Sequence, residues 1–142
     1  MTRHLLDVNV VIALVDPLHV HHERAHRWFA GRDGQPWHTS PTVQNGALRI
    51  LGHPRYPNPQ PLPVVVKSLS SLVGHADHAF VPDAVSLLTG DVRRDRLLTS
   101  AQVADTYLLA LAVSIGAVLA TFDAKLVTSA VPDGEGSLQL VP

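Results

Sequence analysis

Residues 100–122, SAQVADTYLLALAVSIGAVLATF, carry a single charged side chain, Asp105. An ionised carboxylate on an otherwise apolar helix is costly unless it is paired or holds a cation. A second aspartate, Asp123, follows at once in ATFD, and a third, Asp7, closes the first apolar run, HLLD. We read these carboxylates as meeting in space, with a divalent metal ion making their closeness tolerable. Each has a plainer alternative. Asp7 and Asp123 could cap short helices, and Asp105 could be buried against an arginine.

Working outward, Thr99 to Gln102 matches a capping box that starts a helix, and Gly116 ends that helix as a C′ glycine. A buried strand is expected over 118–121, a short helix over 123–127 and a last strand over 138–141. Upstream, Leu5-Leu6 reads as a strand, followed by a helix over 10–15 with Asn9 as N-cap. Asp16-Pro17 interrupts it, and a more polar helix follows over 18–30. A strand is expected over 37–39, then a helix opened by Ser40-Pro41 and running to Leu51. Val43, Ala47, Ile50 and Leu51 share its apolar face. Gly46 inside this helix costs about 1 kcal/mol against alanine, so either the helix is weak there or something packs close. Residues 53–63 hold five prolines and form an irregular connector. Helix 64–73, strand 78–81, a short helix over 84–88 capped by Asp83, and a charged exposed loop over 90–98 complete the chain. Short apolar strands alternating with helices imply an α/β fold, its parallel sheet covered on both faces.

At 142 residues the chain is most simply one domain, 1–142. It has no cysteine, which excludes disulfides, thiolate metal sites and cysteine nucleophiles and fits a reducing cytoplasm. A net charge of -1 sets no strong overall field, so any nucleic-acid contact must come from a local basic patch. The first residues mimic a signal peptide, but Asp7 and Asn9 interrupt the apolar run and no small-residue cleavage site follows. Residues 103–122 are long enough to suggest a membrane span, yet Asp105, Gly116 and the capping signal argue against one. The expectation is no membrane partner.

In parallel α/β sheets, ligands bind beyond the carboxyl ends of the strands, where Asp7 and Asp123 fall. Oxygen ligands suit Mg²⁺ or Mn²⁺, and such a metal can activate water and stabilise an in-line phosphoryl displacement. Asn9 and Thr121 flank two of the aspartates and could orient them. Arg49 could face the same cleft and contact phosphate, or form a surface salt bridge. Arg93, Arg94 and Arg96 could bind RNA backbone, though a charge run is usually a solvated loop. His19, His21, His22 and His26 cluster in sequence; a zinc site there would need a third ligand, and a polar helix face is the plainer reading.

LLDVNVVIAL, QNGALRIL, VADTYLLALA and LATFD, in this order and spacing, resemble a PIN domain, and more narrowly the VapC toxins of bacterial VapBC toxin–antitoxin pairs. The resemblance runs from Leu5 to the last strand. It implies a three-layer fold with a mainly parallel sheet of about four to five strands and helices on both faces. It further implies a Mg²⁺- or Mn²⁺-dependent ribonuclease that cleaves structured RNA such as tRNA or rRNA, forms a small homodimer and is neutralised by a VapB antitoxin. By position Asp7, Asp105 and Asp123 match the family's acidic metal ligands, and Asn9 its polar residue two after the first. Gln44 stands where many PIN domains have glutamate. An amide oxygen can still coordinate, but it brings no charge. A scaffold that lost activity through Gln44 and binds RNA or a partner is therefore an alternative. A haloacid-dehalogenase-type phosphohydrolase is disfavoured, because it wants an aspartate where this chain has Asn9.

Overall fold

The sheet strands are short and apolar because both their faces are covered. Leu5, Leu6, Trp37 and Leu119 have no solvent access. The computed structural model describes residues 1–142. Its strands are β1 (His4–Leu6), β2 (Trp37–Thr39), β3 (His78–Phe80), β4 (Val118–Thr121) and β5 (Leu138–Leu140). Its helices are α1 (Val8–Val15), α2 (His22–Ala30), α3 (Pro41–Leu51), α4 (Leu62–Val73) and α5 (Val103–Ser114). The strand order is β3-β2-β1-β4-β5, and every pairing is parallel. The expected parallel α/β sheet is therefore present, with five strands.

Parallel crossovers are right-handed, so the direction of each step decides which face its helices cover. The chain steps from β1 to β2 to β3 in one direction, laying down α1 to α4. It then returns across the sheet from β3 to β4, which places α5 on the opposite face. The packing agrees: α1 touches α2, α3 and α4, whereas α5 packs on β1 and β4. The order reverses between β1 and β4, and a crevice forms at the carboxyl end of such a reversal.

Several local expectations need correction. Asp7, not Asn9, caps α1, its carboxylate accepting the Val8 N–H at 2.6 Å, and Asn9 lies in the first turn. The helix expected over 18–30 begins only at His22, because Pro17 and a hydrogen bond from the Leu18 N–H to Asp16 (2.9 Å) hold the preceding residues in a turn. No helix forms over 84–88. Asp83 instead accepts from the backbone N–H and hydroxyl of Thr42 at 3.0 and 2.8 Å, serving the first turn of α3. Nor is there a helix over 123–127; the Asp123 carboxylate accepts the Lys125 N–H at 2.9 Å, a side-chain-built turn. The capping box at Thr99 and Gln102 is present, but it opens a 3₁₀ turn over Ser100–Gln102 before α5 begins. Gly116, at φ +67°, takes the left-handed conformation that favours glycine after a helix end.

Gly46 is explained by close packing. A Cβ at this position would lie 3.0 Å from Cγ2 of Val8, the residue between Asp7 and Asn9. The α1–α3 contact therefore helps fix where Asp7 begins its helix. The branched valine has little rotamer freedom to yield. Gly46→Ala is thus expected to lower the melting temperature despite the better helix propensity of alanine. In a Val8→Ala background the same substitution should instead stabilise, by roughly 0.5–1 kcal/mol. Thermal denaturation of the four proteins checks both signs.

Candidate metal centre

Three chain segments end or begin at the β1–β4 reversal. Asp7 follows β1, Asp123 lies two residues beyond β4, and Asp105 sits in the first turn of α5. As the return helix of a right-handed crossover, α5 runs antiparallel to the strands, so its N-terminus arrives where they finish. The three carboxylates are thereby delivered to one end of the sheet.

Thr121, fully buried at the end of β4, ties two of these segments together. Its hydroxyl donates to Asp7 Oδ2 at 2.8 Å. It accepts from Asn9 Nδ2 at 3.1 Å and from the Asp123 N–H at 3.0 Å. One donor and two lone pairs are all that a hydroxyl has, and all three are used. Asn9 completes the clasp by accepting the Phe122 N–H on Oδ1 at 3.2 Å. The expected orienting positions of Asn9 and Thr121 thus correspond to observed hydrogen bonds.

The charges are not neutralised. The chain's ion pairs are His75–Asp77 and Arg96–Asp95, so none of the three aspartates has a cationic partner. The plainer reading of Asp105 as half of a buried salt bridge does not hold. Burial pushes the Asp7 carboxyl above its ordinary value; the Thr121 and Val8 hydrogen bonds oppose this, and the charge of Asp123 adds to it. Burial likewise raises Asp105, and Asp7 and Asp123 raise it further. The three groups therefore sense one another. Even so, no three acidic or histidine side chains close around a single point. A hard cation held by Asp7, Asp105 and Asp123 would keep water in its shell, as Mg²⁺ usually does. The oxygen donors and their uncompensated charge fit such an ion.

The other candidates lie apart. The Gln44 amide donates to Thr39 Oγ1 at 3.0 Å and makes no hydrogen bond to the aspartates. It borders a small apolar hollow with Val11, Val43 and Leu69. Arg49 is exposed and lines a different hollow, beside His53, Arg55 and Tyr56. Arg93, Arg94 and Arg96 are exposed, as a solvated loop requires. His22 and His26 donate to the Ala13 and Leu14 carbonyls at 2.7 and 2.9 Å, satisfying the C-terminal end of α1. Their rings are 4.3 Å apart, but no third ligand joins them.

A fourth aspartate was missed as more than a helix breaker. Asp16 is buried and accepts hydrogen bonds from Tyr56 Oη at 2.5 Å and Asn58 Nδ2 at 2.9 Å. It pins the proline-rich connector to the end of α1. Burial alone would raise its carboxyl, yet the Tyr56, Asn58 and Leu18 hydrogen bonds outweigh this and hold it below the ordinary value. The proline content of the connector hid its attachment.

A parallel sheet with acidic residues gathered at its order reversal defines the class: the PIN domain model matches residues 4–130, and the chain belongs to the PIN-domain family. Within that family it is a VapC-type protein. It is 41% identical over 131 residues to ribonuclease VapC44 of Mycobacterium tuberculosis, covering 92% of each chain. It is 40% identical over 128 residues to ribonuclease VapC39 of the same organism, covering 89% of this chain and 92% of that one. The crystal structure of VapBC2 from Rickettsia felis bound to a promoter DNA fragment superposes with a TM-score of 0.59, covering 98% of each chain at 9% identity. That likeness confirms the three-layer fold.

Asp105 and Asp16 should respond oppositely to neutralisation. Asp105 ionises less readily folded than unfolded, so its charge costs stability. The cost is absent below the ordinary value of 3.8, grows through the raised folded value and is complete above it. Without divalent metal, Asp105→Asn should raise the melting temperature at neutral pH, and the gain should shrink toward pH 4. Asp16, held low when folded, contributes stability above its unfolded value that is lost as pH falls through its folded one. Asp16→Asn should cost about 1–3 kcal/mol at neutral pH. Melting curves across pH measure both.

Proposed function

We propose that this protein is a metal-dependent endoribonuclease, the toxin of a type II toxin–antitoxin pair, that cleaves structured RNA such as tRNA or rRNA. The observation that carries this reading is the gathering of Asp7, Asp105 and Asp123 without a protein cation among them. The relatives named as ribonucleases share most of the chain's length and support the same reading. A VapB-type antitoxin and a homodimer complete the proposal. Leu62, Val64 and Val66 along α4, each about half exposed at 53%, 47% and 47%, offer a protein partner apolar surface.

Mg²⁺ or Mn²⁺, when bound, supplies positive charge to the scissile phosphodiester and to the attacking water. The rest falls to the chain. Asp7 is aimed by its two hydrogen bonds, one to the start of α1 and one to Thr121. The Asp123 backbone is held by that same hydroxyl while its side chain remains half-buried. The first turn of α5 brings Asp105 to the site, and the positive end of the helix dipole favours a carboxylate there. Gln44, engaged with Thr39, is not required to hold the ion in this scheme.

Mn²⁺-stimulated cleavage of a tRNA or rRNA fragment by the parent chain tests the reading. Asp7→Asn and Asp105→Asn should each reduce it by more than the roughly 10–100-fold expected for losing an outer partner, and Thr121→Val should fall within that range. Folding of each variant is checked by circular dichroism. Unchanged cleavage in Asp7→Asn would overturn the metal site. Metal-stimulated activity that appeared only in Gln44→Glu would favour the inactive-scaffold alternative.

A further inference from the structure

A hollow of about 540 Å³ lies between α2 and the edge strand β5, lined by Arg24, Arg27, Arg32, His4, Trp28 and Gln139 among others, with no acidic side chain among its lining residues. Its basic character follows from α2 and the two residues after it, HERAHRWFAGR, which bring Arg24, Arg27 and Arg32 to its lining. Two features set it apart from an ordinary solvated basic surface.

The first is Arg32. It is 5% exposed, yet no carboxylate lies within ion-pair distance, and Asp77 acts on it only from further away. Its guanidinium sits 4.2 Å from the centre of the Phe29 ring, and Trp28 and Trp37 lie at 5.8 and 5.9 Å. One nitrogen donates to the Gln35 carbonyl at 2.7 Å, but Nε is buried without a partner. A buried unsatisfied donor on a cation is expensive, so its presence at a hollow calls for an anion. His4, 4% exposed, repeats the pattern: Nε2 meets Gln139 Oε1 at 2.8 Å and Nδ1 has no partner.

The second is continuity with the acidic site. Arg24 donates to the Val141 and Pro142 carbonyls at 3.1 and 3.2 Å. Its guanidinium also lies 5.1 Å from the centre of the Phe122 ring. Phe122 stands between Thr121 and Asp123, and His21 stacks on it at 4.8 Å. Arg24, at one end of the hollow, thus touches the residue before Asp123, while Thr2, His4 and Gln35 place the other end beside the amino ends of β1 and β2. The nine residues of α2 extend about 13 Å, several times the roughly 3.4 Å of duplex axis that carries one phosphate of each strand.

We propose that this groove binds the sugar–phosphate backbone of the RNA substrate where the strand leaves the acidic site. The inference rests on the ribonuclease reading for its ligand and adds the surface that holds it. Arginine suits the task through its planar fork and its tolerance of burial against aromatic rings. The groove carries affinity that does not depend on base sequence, since phosphate contacts position without specifying.

The test is binding of a fluorescently labelled tRNA transcript, followed by anisotropy over a salt series with EDTA to stop cleavage. Arg27 is exposed, so Arg27→Gln leaves the fold intact, which a melting curve verifies. It should weaken binding several-fold and reduce the slope of log K against log salt by about 1, whereas Arg27→Lys should keep the slope. Lys67→Gln, an equal charge loss on exposed α4, is the control and should have little effect. Unaltered RNA affinity in Arg27→Gln, or an equal loss in Lys67→Gln, overturns the proposal. So does AMP or polyglutamate binding that needs Arg27 while RNA binding does not, which would assign the groove to a free nucleotide or to an acidic peptide. Cleavage by the parent is measured separately with Mn²⁺. If Arg27→Gln weakens RNA binding but the parent never cleaves, the groove stands and the nuclease reading falls. If the parent cleaves and Arg27→Gln binds as tightly as the parent, the reverse holds.

Discussion

Three carboxylates brought to one end of the sheet, with no lysine or arginine paired to any of them, are the constraint on which this molecule's architecture turns. Like charges at close range raise each other's proton affinity, and burial compounds the effect. A fold could relieve this with an ion pair, and this chain contains enough arginines to do so. Its arginines are used elsewhere: Arg24 and Arg32 serve the α2 groove, and Arg93, Arg94 and Arg96 lie in solvent. What the protein supplies to the aspartates is hydrogen bonding, which orients a carboxylate without neutralising it. Thr121 is the clearest instance, because its hydroxyl spends its whole bonding capacity on Asp7, Asn9 and the Asp123 backbone.

The topology explains how residues so far apart in sequence are brought to one place. Two crossovers run outward from β1 in one direction, and the return to β4 passes over the opposite face. Only at the β1–β4 junction do helices diverge to both sides, leaving the strand ends uncovered. The α1–α3 contact at Gly46 and Val8 then sets the height of α1 above the sheet. A packing detail in the first third of the chain is thus coupled to the geometry of Asp7.

Much of this was legible in the sequence, and the failures share a cause. Buried strands reveal themselves as apolar runs, and Asp105 was conspicuous because an acid on an apolar helix needs a reason. Ser40-Pro41 and the Thr99–Gln102 box marked real helix starts because capping is local chemistry. The errors fell where an aspartate's hydrogen-bond partner could not be known from its neighbours. Asp83 was read as serving its own following helix, whereas it serves Thr42 across the fold. A short helix is expected over 123–127, whereas Asp123 closes a turn through the Lys125 N–H. Asp16 was read as a breaker and anchors a distant tyrosine and asparagine. The α2 groove was invisible for a similar reason: the arginines of HERAHRWFAGR read as a polar helix face, and nothing local shows that Arg32 folds back beneath three aromatic rings.

Asp7 and Asp16 make the comparison that separates a structural acid from one kept for chemistry. Each is 6% exposed and each touches α1, at its start and just past its end. Asp16 accepts three hydrogen bonds, from Leu18, Tyr56 and Asn58, whereas Asp7 accepts two, from Val8 and Thr121. Asp16 has only donors around it, and its ionised form is the comfortable one. Asp7 is raised first by burial and further by the charge of Asp123, and its hydrogen bonds do not offset them, so its ionised form is strained by its surroundings. A fold selected for stability alone would have no reason to keep the second arrangement. It becomes sensible if the unfavourable field is met by something outside the chain, and a divalent cation with part of its water shell is the smallest species able to meet it.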